Sequence, residues 1–167
     1  VEILQSPVTV HDAVKRLKLY TEYRLDGRIS KKLIYSYQPI TVDISPVTLD
    51  SMDYYMLEGV YAIQMTITKE GEGYHANIST IKNGKVIVEE STDIDSLSTS
   101  VMTEIGTISF MSNPKYKPGK EDRFQNGTPL LVTIRPPMVV ALDYMRRLSV
   151  APTSRETSIA AITLNDE

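Results

Sequence analysis

The chain has no cysteine and no tryptophan, only two phenylalanines, and no run of apolar residues long enough to cross a bilayer. Without cysteine there are no disulfides, no thiolate nucleophile and no Cys-based metal site, and the redox state of the compartment is unreadable. No window of about eighteen apolar residues exists to span a membrane, and the start is not a signal peptide because no cationic segment precedes an apolar one. Lys and Arg number 18 against 21 Asp and Glu, for a formal charge of −3. No basic stripe is present to neutralise phosphates, which argues against a nucleic-acid partner.

What remains is an ordinary globular composition, 41% apolar and 23% charged over 167 residues. A chain of this size buries roughly 70% of the surface it exposes when unfolded, enough for one core, or one core with a satellite. The sequence begins on Val1, directly on a patterned segment, as a domain taken from a longer protein would.

Ser6-Pro7 opens a helix, because Ser can cap free N–H groups and Pro is tolerated at the first helical position. Val10, Ala13, Val14 and Leu17 follow at helical spacing, predicting a helix over about 7–18 whose last turn holds Lys15, Arg16 and Lys18 at the negative end of its dipole. From Tyr20 to Ile44 apolar and polar residues alternate, with a hairpin turn expected at Asp26-Gly27 and two or three strands around it. Val60 to Thr68, Tyr74 to Ile81 and Lys85 to Glu89 alternate again, separated by Gly71-Glu-Gly73 and Asn83-Gly84, and read as an antiparallel meander. Glu104 to Phe110 reads as another strand, and Asn113 to Gly127 as a solvent-exposed polar connection. Pro129 to Ile134 is a strand, Pro136-Pro137 opens a helix through Arg146, and Leu148 to Asp166 returns as two strands.

These elements predict an α+β fold, with a mixed or antiparallel sheet and two short helices near 7–18 and 137–146. Residues 1–49 and 129–167 form the platform, and 50–128 an inserted antiparallel β unit. Val14, Leu17, Leu33, Ile40, Val42, Leu131, Val140, Leu148, Ile159 and Ile162 are its expected core.

Chemistry-bearing patterns are sparse. Gly84-Lys85 and Gly119-Lys120 lack the first glycine that a phosphate-cradling loop needs. His11 and His75 show no metal-ligand spacing and read as a helix-surface and a strand residue. Ser91 to Thr103 is rich in hydroxyls but has no neighbouring His in sequence to act as base. Glu89-Glu90 and Asp93-Asp95 could serve a sugar hydrolase only if two carboxyls converged about 5 to 10 Å apart, and they read as solvated acids. Hence no catalytic, cofactor-binding or metal-binding residue is expected, and no cofactor. Ten tyrosines are the one skew, with Tyr20, Tyr23, Tyr35, Tyr37, Tyr54, Tyr55 and Tyr61 in the first half. They suit half-buried strand positions, a glycan contact or a protein interface. Asn77-Ile-Ser79 and Asn126-Gly-Thr128 are sequons that would matter in a eukaryotic secretory protein.

Two flanks carry a resemblance. Ala13 to Tyr20, then Tyr23-Arg-Leu-Asp-Gly-Arg28 and Leu33-Ile-Tyr-Ser-Tyr-Gln-Pro-Ile-Thr-Val42, is similar to the helix, strand entry and Tyr-rich stretch in the periplasmic part of polysaccharide copolymerases. This family of chain-length determinants includes the membrane-anchored tyrosine autokinases of capsule synthesis, and the likeness is to the Bacteroidetes-type members. The closing Leu148-Ser-Val-Ala-Pro152 and Thr157-Ser-Ile-Ala-Ala-Ile-Thr-Leu-Asn-Asp166 resembles the family's "L-x-V-x-P … S-I-x-x-I-x-x-x-D" passage. Residues 45–128 match no part of it, and the family's coiled-coil helix, transmembrane helices and kinase domain are absent from this sequence.

The resemblance implies a non-catalytic module on the periplasmic face of the inner membrane. It would regulate chain length and export of capsular or exopolysaccharide, form a homo-oligomer in the full-length protein, and work with a polysaccharide polymerase and an outer-membrane export protein. Separated from its anchors it would be a monomer or weak oligomer. A β-sandwich that binds glycan is the alternative that the tyrosines and the hairpins leave open.

Overall fold

The computed structural model describes residues 6–26, 32–34, 36–119, 122–152 and 160–165. It is an α+β protein whose described strand pairs are all antiparallel. The chain divides into two compact units, Val1–Tyr20 with Pro136–Glu167, and Thr21–Arg135.

In the first unit, α1 (Pro7–Arg16) packs against α3 (Pro137–Arg147). Val10 and Val14, one turn apart, are its buried stripe, and Pro137, Val140 and Ala141 are that of α3. The Ser6 side chain makes no capping bond; its carbonyl accepts from Val10 N–H at 3.1 Å. The helix stops short of residue 18 because Lys18 turns left-handed (φ 53°) and Leu19 N–H bonds back to the Val14 carbonyl at 3.0 Å, closing the end. Leu17 is thereby turned outward and is 68% exposed, although its spacing puts it in the expected core. β10 (Leu148–Pro152) and β11 (Ala160–Leu164) form a hairpin in register Leu148↔Leu164 to Pro152↔Ala160. Two strands alone leave a face uncovered, so Ile162 is 59% exposed and Leu148 only half-buried, outside the core where they were expected. Side chains of Leu33 and Ile159, also expected there, lie outside the described residues.

The second unit contains two sheets. The larger has the order β2-β1-β9-β4-β5-β6, built from β1 (Thr21–Leu25), β2 (Lys32–Ile34), β4 (Tyr61–Glu70), β5 (Gly73–Lys82), β6 (Lys85–Ile94) and β9 (Leu130–Ile134). Because β9 lies between β1 and β4, strands from both sides of the expected 128/129 boundary share one sheet. The smaller has the order β3-β8-β7, from β3 (Ile40–Ile44), β7 (Thr99–Thr103) and β8 (Gly106–Ser112). β7 occupies the end of the hydroxyl-rich stretch that sequence left without structure.

Alternation sets the burial. One face of the large sheet buries Tyr23, Leu130, Val132, Ile134, Ile63, Met65, Ile67, Ala76, Ile78 and Ile94; the small sheet buries Ile40, Val42, Ile44, Ile108 and Phe110. Leu131, expected in the core, points the other way and is half-buried, since Val132 and Ile134 fix the inward set on even numbers. Each large apolar side chain so buried is worth about 2 kcal/mol. The β5–β6 turn has positive φ at both Asn83 (49°) and Gly84 (77°), as a two-residue hairpin turn requires. Outermost β6 carries a bulge, with Thr80 opposite Val88 and Ile81 opposite Val86, and opens on Lys85; both features guard an edge against further pairing.

A third helix, α2 (Pro46–Tyr54), follows β3 and runs into a 3₁₀ turn, Tyr55–Leu57. It was not expected. Ser45 caps it, accepting from Thr48 N–H at 3.2 Å, and Leu49 and Met52 are buried.

Tyr23 ties the sheets together. From β1 its hydroxyl donates to the Val42 carbonyl at 3.1 Å and accepts from the Val42 N–H at 2.9 Å, pairing both main-chain groups that β3 leaves open at that point of its edge. Burial pushes the phenol up to about 12. Tyr23→Phe removes the hydroxyl and leaves both Val42 groups buried and unpaired, and should cost about 2 kcal/mol in denaturant unfolding at pH 7. A raised phenol favours the folded state below its unfolded value of 10 and is lost as pH climbs through about 12, so the Phe variant should lose part of the alkaline destabilisation that the parent shows. At Gly106 (φ 123°) an added Cβ would lie 2.3 Å from Thr48 Oγ1, on the first turn of α2. Gly106→Ala should destabilise by about 2 kcal/mol, read by the same unfolding.

Candidate functional site

The residues singled out by sequence scatter over surfaces. Glu89 and Glu90 sit on opposite faces of β6 and cannot converge on one bond. Glu90 accepts the Glu104 N–H on both carboxylate oxygens at 3.2 Å, fastening the β7–β8 turn. His11 lies on α1, in the first unit, and His75 on β5, in the second. Among the described residues no three His, Cys, Asp or Glu side chains group to hold a metal ion.

The tyrosines divide. Tyr20 and Tyr23 are core residues; Tyr37 and Tyr54 are largely exposed; Tyr35 lies outside the described residues. Tyr54 and Tyr55 meet edge to face at 5.0 Å, and the Lys82 ammonium lies 5.0 Å over the Tyr61 ring. The polar 113–127 connection is exposed over most of its length but hangs on Phe124, which is fully buried and stacks on Tyr74 at 5.9 Å, with Lys69 over the same Tyr ring. Gln125 Nε2 donates to the Tyr116 hydroxyl at 3.3 Å, and partial burial pushes that phenol up to about 12. Asn113 Nδ2 donates to the Ser36 and Gln38 carbonyls. A lone Phe in a polar run, in a chain with only two, was the available sign of this anchor.

Two surfaces emerge that no motif marked. The first is the outer face of the large sheet. Register aligns Arg24, Leu131, Thr66, Asn77 and Ser91 in one row, and Glu22, Thr133, Gln64, Ser79 and Glu89 in the next. A third row aligns Thr68, His75 and Asp93. This face is a grid of hydroxyl, amide and charged groups, including the sequon residue Asn77, and it offers hydrogen bonds rather than apolar area. At its end His75 Nδ1 meets Asp93 Oδ1 at 2.6 Å, so pairing supplies the His that the hydroxyl-rich stretch lacks in sequence. The second surface is the outward side of α2 and its 3₁₀ turn, where Val47, Tyr54 and Leu57 are exposed.

The Asp93 hydrogen bond holds His75 above its ordinary pKa, with Glu70 adding to the effect and desolvation opposing it. The pair therefore favours the folded state fully below the ordinary His value and loses its contribution as pH rises through the raised one. An NMR titration of His75 should show the elevated pKa, and Asp93→Asn should bring it down; a pKa that does not move with that substitution would remove the pairing.

No family model matches the chain, and no curated protein matches it.

Proposed function

We propose that the chain is a non-catalytic assembly module of a polysaccharide copolymerase, set at the periplasmic face of the inner membrane, where the parent protein regulates the length and export of capsular or exopolysaccharide. One observation carries the reading: the two terminal stretches fold into one unit, α1 against α3 with the β10–β11 hairpin, while residues 21–135 form a separate β-rich unit strung between them. A module whose chain both leaves and returns to a membrane-anchored body needs this arrangement. The resemblance draws on these stretches at 13–20 and 148–166, and its remaining passage, within 23–42, belongs to the second unit. In this reading the second unit presents surfaces to neighbouring copies, to the polymerase and to the outer-membrane exporter, and no reaction takes place on it.

A glycan-binding role is favoured by a different observation, the hydrogen-bonding grid on the outer face of the large sheet. The two readings separate in one experiment. Ala141, fully buried in α3, becomes Glu in the parent protein, and the length distribution of surface polysaccharide is compared with that of a Gln64→Ala, Asn77→Ala variant. The assembly reading expects Ala141→Glu to abolish the preferred length and the sheet-face variant to keep it. An unchanged distribution with Ala141→Glu overturns that reading. Calorimetric binding of purified polysaccharide, lost only in the sheet-face variant, would favour the glycan-binding role.

A further inference from the structure

The two sheets of the β-rich unit end differently. β6, outermost in the large sheet, is guarded by its bulge and by Lys85. β7, outermost in the small one, has no such guard: Thr99-Ser-Val-Met-Thr103 holds no charge, proline or glycine, and pairs with β8 without a shift of register. Thr103 and Gly106 flank a two-residue turn and exchange main-chain hydrogen bonds in both directions, as Val101 and Ile108 do two positions back. Ser100 and Met102 alternate with these pairs and therefore turn their N–H and C=O groups away from β8. Among the described residues no strand pairs with them on that side. Both are exposed, Met102 to 85%. The Glu90 carboxylate of β6 takes the Glu104 N–H beyond them, at the turn, and so holds the end of this edge in place.

An uncharged strand edge with open main-chain groups is a template for another strand. Its own pattern decides which. Laid antiparallel with Val101 opposite Val101 of a second copy, β7 sets Ser100 against Met102 of that copy and Met102 against its Ser100, so every outward N–H and C=O on both strands is paired. A slip of one residue would set outward groups against inward ones. Glu104, the charge next to the strand, falls opposite Ser98 of the other copy, so no like charges meet. A neutral edge gives a foreign strand no charge to be selected by, whereas its own copy matches it in register, hydrogen bonding and charge. We infer that β7 pairs with β7 of a second copy about a two-fold axis at Val101, joining two three-stranded sheets into one continuous sheet. The contact is isologous and uses up the edge on both sides, so it closes at a dimer, and its small area makes that dimer weak. Its biological role rests on the assembly reading, to which it adds one contact between copies.

Sedimentation velocity of the purified chain at rising concentration should show monomer passing into dimer and no further. Over the same series, hydrogen exchange followed by NMR should slow at the Ser100 and Met102 amides, while the Val101 amide, bonded to β8, is protected throughout. Ser100→Lys with Met102→Lys sets Lys against Lys at both cross-strand pairs and should raise the dissociation constant of the dimer about tenfold. Ser100→Lys with Met102→Glu sets Lys against Glu at the same places and should keep the dimer, now sensitive to salt. Both variants lose the hydroxyl bond between Ser100 and Ser109 alike, and circular dichroism checks their fold. A chain that stays monomeric, amides at 100 and 102 indifferent to its concentration, or the two variants equally impaired each overturn the inference. So does a monomer whose Ser100 and Met102 amides are protected only when cell-envelope extract is added, which gives the edge to another polypeptide. If the dimer fails while Ala141→Glu still changes polysaccharide length, the assembly reading stands and its contacts lie elsewhere. If the dimer forms and Ala141→Glu leaves polysaccharide length unchanged, the contact stands and that reading falls.

Discussion

A buried phenol holds the β-rich unit in its arrangement. The edge of β3 would carry open main-chain groups into an apolar interior, and each one left unpaired there costs more than an ordinary hydrogen bond returns. Tyr23, projecting from the other sheet, gives Val42 both a donor and an acceptor with one oxygen. This fixes where β3 lies against β1, and through β3 the positions of β8 and β7. The adjoining helix follows from the same strand, since Ser45, the residue after β3, caps α2, and Thr48 on its first turn closes over Gly106.

Much of this framework was legible in the residues, and the failures are local. The β4–β5–β6 meander announced itself because strict alternation ran between glycine turns, where backbone and side-chain preferences agree. Both outer helices were marked by proline at the first turn. Ser45-Pro46 carries the same signature as Ser6-Pro7, yet α2 escaped. Its apolar residues Val47, Leu49, Met52 and Tyr54 are spread around the axis, so the buried pair Leu49 and Met52 does not stand out in sequence as an inward stripe. Two adjacent leucines made β9 ambiguous by one residue, and only the strand as a whole settles which faces the core. Leu17 and Ile162 have core-like spacing but lie where a helix ends and where a hairpin has no second layer, conditions that depend on tertiary structure.

The surfaces were the least legible part. A grid of Thr, Ser, Asn and Gln side chains exists only once β1, β9, β4, β5 and β6 are in register, and its rows draw on segments more than a hundred residues apart. His75 and Asp93 are eighteen positions apart and become neighbours through a hairpin pairing. Exposed aromatic and aliphatic side chains on α2 look in sequence like core residues, because hydrophobicity alone does not say which side of an element meets water.

The central place of β9 bears on how the molecule is made. Thr21–Leu25 and Tyr61–Glu70 do not pair with each other; each waits for Leu130–Ile134, which is synthesised long after both. The local meander can close early, but the six-stranded sheet stays incomplete until that late segment arrives, with a long loop to close and apolar strands uncovered in the interval. Folding should therefore be slow relative to the chain's size, and the nascent polypeptide would have most need of a chaperone just before residue 130 emerges.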